Sequence, residues 1–159
     1  MDEQLCGTPV TGRLLEQLLV SSINLQINGQ KLVSARASVL GENPGYTSTM
    51  LRILLEWSEP SSGLPKSVVV KAMGNKALGE TIMAHMAKDD IDKMYEQLYQ
   101  AHNIECQIYD LHGLNDIVPM PSCYSKVESE EGEPGIIVME DLSDRAVAAA
   151  FKHLGQGVQ

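Results

Sequence analysis

Two charged residues stand where a folded chain pays to keep charge. Lys71 closes the run Ser67-Val68-Val69-Val70, a short β-branched stretch bounded by Pro65 that reads as a strand buried on both faces or nearly so. An ammonium group there is tolerated when it meets a fixed carboxylate or faces a cleft that admits an anion. The plainer alternative is a side chain that snorkels out at the strand end. Glu105 lies one residue, about 100 degrees, from Ile104 on a helix in which Ile104, Ile108 and Leu111 recur at i, i+4 and i+7. It therefore sits at the border of the expected buried stripe and can reach inward, or it is a solvated flank. Gly41 and Gly45, with Pro44 between them, break two strand patterns as a tight hairpin turn does. A compact ammonium suits phosphate oxygens as a point charge, and a neighbouring carboxylate fixes its position and keeps it protonated. Each feature is common singly; their order and spacing give them weight.

The bulk of the chain bounds what such a site can serve. At 159 residues it is long enough for one domain with a real core and short for two. A composition 43% hydrophobic and 21% charged, with mean hydropathy −0.10, is that of a globular protein. The net charge of −9 argues against a general nucleic-acid or anionic-membrane surface, so any phosphate must meet a local positive site. Cys6, Cys106 and Cys123 are odd in number and widely spaced, and read as reduced, packed thiols. No apolar run approaches the roughly 20 residues of a membrane span, and the first ten residues lack the features of a signal peptide. A cytoplasmic location is the expectation.

Residues 11–22 are predicted to form a helix capped by Thr11, with Leu14, Leu15, Leu18 and Leu19 as its apolar stripe. Asn28-Gly29 signals a turn, and 32–40 read as a strand. From 46 to 57, Thr47, Thr49, Leu51, Ile53, Leu55 and Trp57 alternate with polar residues; a serine- and proline-rich loop then leads into the Lys71 strand. Residues 74–79 read as a loop and 80–88 as a short helix. A further helix follows from 89, with Ile91, Met94, Tyr95 and Leu98 inside, running on past Asn103 or kinked near it. Residues 113–121 read as a loop, 122–127 as a strand, 128–135 as a solvated acidic hairpin tip and 136–139 as a buried strand. Ser143 or Asp144 could cap a last helix through 146–153.

The fold class expected is α+β: an N-terminal helix and a five-stranded antiparallel sheet with helices inserted after the third strand. This is the arrangement of the smaller lobe of a kinase-like fold, in which a glycine turn covers nucleotide phosphates, a strand lysine binds them and a helix glutamate holds the lysine. The stretches GENPGYTSTMLRILLEW, LPKSVVVKAM, HNIECQIYDLH, VPMPSCYSKVE and GIIVMEDL also resemble the successive landmarks of the ecdysteroid kinase-like (CHK kinase-like) proteins, relatives of choline kinases and aminoglycoside phosphotransferases. The resemblance spans residues 33–142. It implies an N-terminal helical segment over 1–32, the ATP-binding lobe over 33–142 and the start of a second lobe over 143–159. By position, Lys71 would contact the nucleotide phosphates and Glu105 would orient it. Gly41 and Gly45 would shape the phosphate-covering turn, with Ser48 a phosphate neighbour. Met139 would border the adenine pocket, and backbone groups of Glu140 and Leu142 would bond the adenine edge.

The family carries its catalytic loop, of HGD type, and an aspartate for magnesium in a second lobe. Here 17 residues follow Leu142, and His112-Gly113 continues with Leu114 rather than aspartate. The expectation is therefore a fragment of an enzyme that uses magnesium ATP to phosphorylate a hydroxyl on a small-molecule alcohol, inactive as this chain, with no catalytic or metal-binding residue of its own. The alternatives are a catalytically dead, one-lobed protein that binds a protein partner or a second copy through the face a larger lobe would cover, and a nucleotide binder without transfer.

Overall fold

Thr11 opens the first helix as its sequence suggests: its hydroxyl accepts a hydrogen bond from the Leu14 N–H at 3.1 Å. The computed structural model describes residues 1–41, 48–59, 63–73, 86–111, 113–130 and 133–144. Helix α1 (Gly12–Val20) turns Leu15 and Leu19 fully inward, with Leu14 and Leu18 beside them. Burying each leucine contributes roughly 1.5–3 kcal/mol. At the following turn Asn28 and Gly29 both take positive φ, 51° and 79°, and the Gln30 N–H returns to the Ile27 carbonyl at 3.0 Å.

Strands β1 (Leu32–Val39), β2 (Ser48–Trp57), β3 (Ser67–Met73), β4 (Cys123–Val127) and β5 (Ile136–Glu140) form one antiparallel sheet in the order β1-β2-β3-β5-β4. The alternation expected in β2 holds. Thr49, Leu51, Ile53 and Leu55 are buried, and across from them lie Val68, Val70, Ala72, Ile136 and Val138 of β3 and β5. Residues 1–32 share this core through Val10, Leu15, Leu19 and Ile27. Glu16 accepts the Leu32 N–H at 2.8 Å, and Asn24 donates to the Cys123 carbonyl at 2.8 Å, so this segment reaches both edge strands. β5 is interior and has cover on both faces, which explains why four apolar residues run together, Ile136 to Met139, all buried.

The opposite face carries Val69, Lys71, Ile137 and Met139, over which packs helix α2 (Lys88–Ile108). It is one helix, unbroken at Asn103. That continuity corrects one expectation. Ile104, Ile108 and Leu111 are not a buried stripe: they are 58%, 38% and 60% exposed, and the residues turned inward are His102 and Cys106. A helix that keeps its phase from Ile91, Met94, Tyr95 and Leu98 arrives at 102, 105, 106 and 109, with 104, 108 and 111 on the far side. Glu105 thus faces inward for a better reason than its position beside Ile104.

Two smaller differences follow the same logic of local bonding. The loop expected over 113–121 includes one helical turn, α3 (Leu114–Ile117), entered through Gly113 at φ 76°. At the acidic tip Glu128, Glu130 and Glu133 are exposed as expected, but Ser129 is buried because its hydroxyl accepts the Gly135 N–H at 3.0 Å. Of the three free thiols Cys106 is buried and Cys123 half-buried, whereas Cys6 is exposed and not packed. The turn at Gly45, the loop over 74–79, the short helix over 80–88 apart from the start of α2, and the helix over 146–153 lie outside the described residues. Among the described residues no helix is long and apolar enough to cross a membrane.

Candidate functional site

β3 sets Lys71 between Met50 of β2 and Ile137 of β5, on the sheet face that α2 covers. α2 delivers Glu105 to it. The Lys71 ammonium donates to Glu105 Oε2 in an ion pair whose side chains are 25% and 31% exposed. Solvent reaches both groups, so the pair's contribution to stability is modest, on the order of 1 kcal/mol. Its structural consequence is larger: the ammonium is held at the mouth of a cleft of about 90 Å³ bordered by Ser48, Lys71, Met73, Leu98, His102 and Glu105. Pockets that enclose drug-sized ligands run to roughly 300–1,000 Å³. Among the described residues the cleft therefore has room for one phosphate-sized group at the lysine and not for a whole nucleotide.

α2 is fastened so that Glu105 has little freedom. The His102 ring donates from Nε2 to the Val127 carbonyl at 2.9 Å, and Lys126 donates to the Cys106 carbonyl at 2.8 Å while pairing with Asp110. Behind the cleft, the Ser129 hydroxyl donates to the Met73 thioether at 2.9 Å. Burial pushes the Cys106 thiol up to about 11, against the pull of Lys126, and burial likewise raises Cys123 and Tyr109. Both thiol shifts favour the protonated form, the less nucleophilic one.

Of the residues singled out in the sequence, Lys71, Glu105 and Ser48 come together at this cleft. Ser48 is the first residue of β2, opposite Met73. Gly41 follows the end of β1 with φ 90°, a conformation that favours glycine, just after the Leu40 N–H bonds the Met50 carbonyl at 2.8 Å. Gly45 lies outside the described residues. Met139 is buried beneath α2, where the Tyr109 hydroxyl donates to its sulfur at 3.9 Å. Glu140 ends β5 opposite Val68, three residues or roughly 10 Å along the strands from the level of Lys71. Its N–H is committed to the Ser122 carbonyl at 2.9 Å, so that group is not open to a base. Leu142 is half-buried just beyond.

Sequence reasoning missed Asp141. Its side chain is 5% exposed and accepts from Arg52 Nε at 2.7 Å, from the Ser67 hydroxyl at 2.7 Å and from the Ser143 N–H at 3.0 Å. Burial alone would raise its carboxyl; the bonds from Ser67, Ser143 and Arg52 outweigh that and hold it at about 2. The available signal was weak: an arginine on the polar side of β2 and an acidic pair after an apolar run.

An α+β fold with a five-stranded antiparallel sheet and a strand lysine paired to a helix glutamate is compatible with a kinase-like N-terminal lobe. Residues 21–155 match the model of the family described as "Uncharacterized oxidoreductase dhs-27", and the chain belongs to that family, which is related to the ecdysteroid kinase-like proteins. Neither a curated protein nor a solved structure matches the chain.

Proposed function

We propose that the chain is the ATP-binding half of a kinase-like phosphotransferase that phosphorylates a hydroxyl on a small molecule, in the manner of ecdysteroid and choline kinases. The observation that carries this reading is the Lys71–Glu105 pair at a cleft that Ser48 also borders. A carboxylate that orients an ammonium without enclosing it leaves the remaining N–H donors for phosphate oxygens, and phosphoryl transfer depends mainly on such positioning and charge neutralisation. In this reading ATP lies along the sheet face, with its phosphates at Lys71 and its base near Met139, Glu140 and Leu142. Gly41, just past the end of β1, belongs in this reading to the phosphate end.

Magnesium would supply charge neutralisation between the phosphates when bound. Among the described residues no group of three or more His, Cys, Asp or Glu is placed to hold a metal, so these residues do not fit that ion. The base, the metal ligands and the acceptor pocket belong, in this reading, to a second lobe after residue 142. The family description carries the word oxidoreductase for a family it calls uncharacterized; the phosphotransferase reading is supported instead by the Lys71–Glu105 pair, which suits an anion.

The test is Lys71→Met in a full-length context. It should abolish ATP turnover while the far-ultraviolet circular dichroism stays that of the wild type. Undiminished turnover would sink the assignment.

The exposed stripe of Ile104, Ile108 and Leu111, together with Ile117 at 82% exposure, favours a second reading: a one-lobed binding protein that acts through a partner or its own copy. The intact mass of the endogenous protein separates the two. A product far heavier than 17.4 kDa supports the enzyme, and one near 17.4 kDa in a stable complex supports the binding protein.

A further inference from the structure

Asp141 draws together parts of the chain that are distant in sequence. Arg52 comes from β2, Ser67 opens β3, and Ser143 lies beyond β5; the Arg52 guanidinium donates both to Asp141 and, at 2.5 Å, to the Ser143 hydroxyl. Arg52 stands opposite Val69 in the sheet, and Ser67, Val69 and Lys71 alternate onto one face of β3. On that face Val69 separates Ser67 from Lys71, Arg52 lies beside Val69, and Met50 lies beside Lys71, so the cluster sits next to the lysine along one row. Only the Asp141 side chain of this cluster is buried, and such an ionic cluster is weak evidence of a role in stability, because apolar residues of similar volume often serve as well. What apolar residues could not do is tie the Asp141 side chain to β2 and β3 while it accepts the main-chain N–H of Ser143 by directional bonds.

We propose that Arg52 and Asp141 are positioning residues for the base end of the nucleotide: they clamp the chain over 140–142, so that a purine edge meets backbone groups already fixed in place. This rests on the nucleotide reading above. The gain is preorganisation, since a segment ordered before binding loses less freedom on binding. Neither side chain needs to touch the ligand.

The test measures binding by calorimetry with three probes, adenosine, inorganic tripolyphosphate and ATP, on the wild-type chain, Asp141→Asn, Arg52→Lys and Lys71→Met. Asp141→Asn should weaken adenosine and ATP about tenfold while leaving tripolyphosphate within about twofold, the size expected when one or two directional contacts lose their support. Lys71→Met should weaken tripolyphosphate and ATP and leave adenosine unchanged. Arg52→Lys keeps the charge but loses the second donor to Ser143, and should fall between wild type and Asp141→Asn. A purely structural cluster would lower the melting temperature without changing the ratio of adenosine to tripolyphosphate affinity, which would overturn the proposal. If Asp141→Asn does not fold, Arg52→Lys and Ser67→Ala carry the same test. Wild-type chain that binds tripolyphosphate but not adenosine overturns the clamp alone; wild-type chain that binds neither ATP nor tripolyphosphate overturns the nucleotide reading and the clamp with it.

Discussion

Asn103 and Ser129 hold one another by two reciprocal hydrogen bonds: the Asn103 amide donates to the Ser129 carbonyl at 3.0 Å, and its oxygen accepts the Ser129 N–H at 2.7 Å. The first belongs to α2 and the second to the turn between β4 and β5. With His102 on Val127 and Lys126 on Cys106, they fasten the glutamate helix to the hairpin along about one helical turn. The Lys71–Glu105 pair follows from this fastening and does not have to hold the helix itself.

Removing the reciprocal bonds should therefore cost more than removing the ion pair. Asn103→Ala leaves the Ser129 N–H and carbonyl to find water at a residue only 6% exposed. The expected loss is about 1–3 kcal/mol, against about 1 kcal/mol or less for Lys71→Met. Urea midpoints of the two variants check the order; a larger loss for Lys71→Met would mean that the ion pair, not the hairpin, holds α2.

Gly135 is a tighter constraint at the same corner. A Cβ there would meet His102 Nε2 at 2.0 Å and the Ser129 hydroxyl at 2.6 Å. The strand cannot retreat, because the Gly135 carbonyl accepts the Met73 N–H at 2.9 Å. Gly135→Ala should force His102 off the Val127 carbonyl and destabilise by about 1–3 kcal/mol or more. Thermal melting measures the loss, and the His102 ring proton shifts report the broken bond. A variant with wild-type stability and unchanged ring shifts would show that the corner has room.

Much of the sheet was legible in the sequence because period-2 burial is a strong signal where one face is packed: β2 announces itself through Thr49, Leu51, Ile53 and Leu55, and β5 through its unbroken apolar run. Lys71 stood out for a different reason, the cost of charge at the end of an apolar run, whereas Glu105 was singled out beside a stripe, Ile104, Ile108 and Leu111, that is exposed. α2 was harder. Its mean character is polar, its inner face carries His102, Asn103 and Glu105, and its isoleucines at 104 and 108 point outward, so hydrophobicity alone chooses the wrong side. Polar groups that satisfy one another across 26 residues, as Asn103 and Ser129 do, leave no periodic trace in the chain.

That contrast gives a paired expectation. Ile108→Gln replaces an exposed side chain and should change stability by less than about 0.5 kcal/mol. Leu19→Ala, in the core beneath the sheet, should cost about 2–5 kcal/mol. Denaturant unfolding of both variants measures the difference. A marked loss with Ile108→Gln would mean that something packs on the outer face of α2, and sedimentation velocity would then distinguish a second copy from a contact within the chain.

The last expectation concerns acid. Asp141 is held at about 2 when folded, whereas an unperturbed carboxyl titrates near 3.8. A carboxyl depressed in the folded state adds stability that is fully present above its unfolded value and is lost as pH falls through the folded one. The Asp141 contribution should therefore be constant above about pH 5 and disappear between about pH 4 and 2. Its partners fix the sign, since protonation neutralises the carboxylate whose Oδ2 accepts from Arg52 and Ser67 and whose Oδ1 accepts the Ser143 N–H. Asp141→Asn, which carries no charge to titrate, should be less stable than wild type at neutral pH and should converge on it near pH 2. Urea midpoints of both proteins from pH 2 to 7 make the comparison. A constant gap across that range would mean that the carboxylate charge contributes nothing and that the shape of the side chain alone fills its place between β2, β3 and the end of β5.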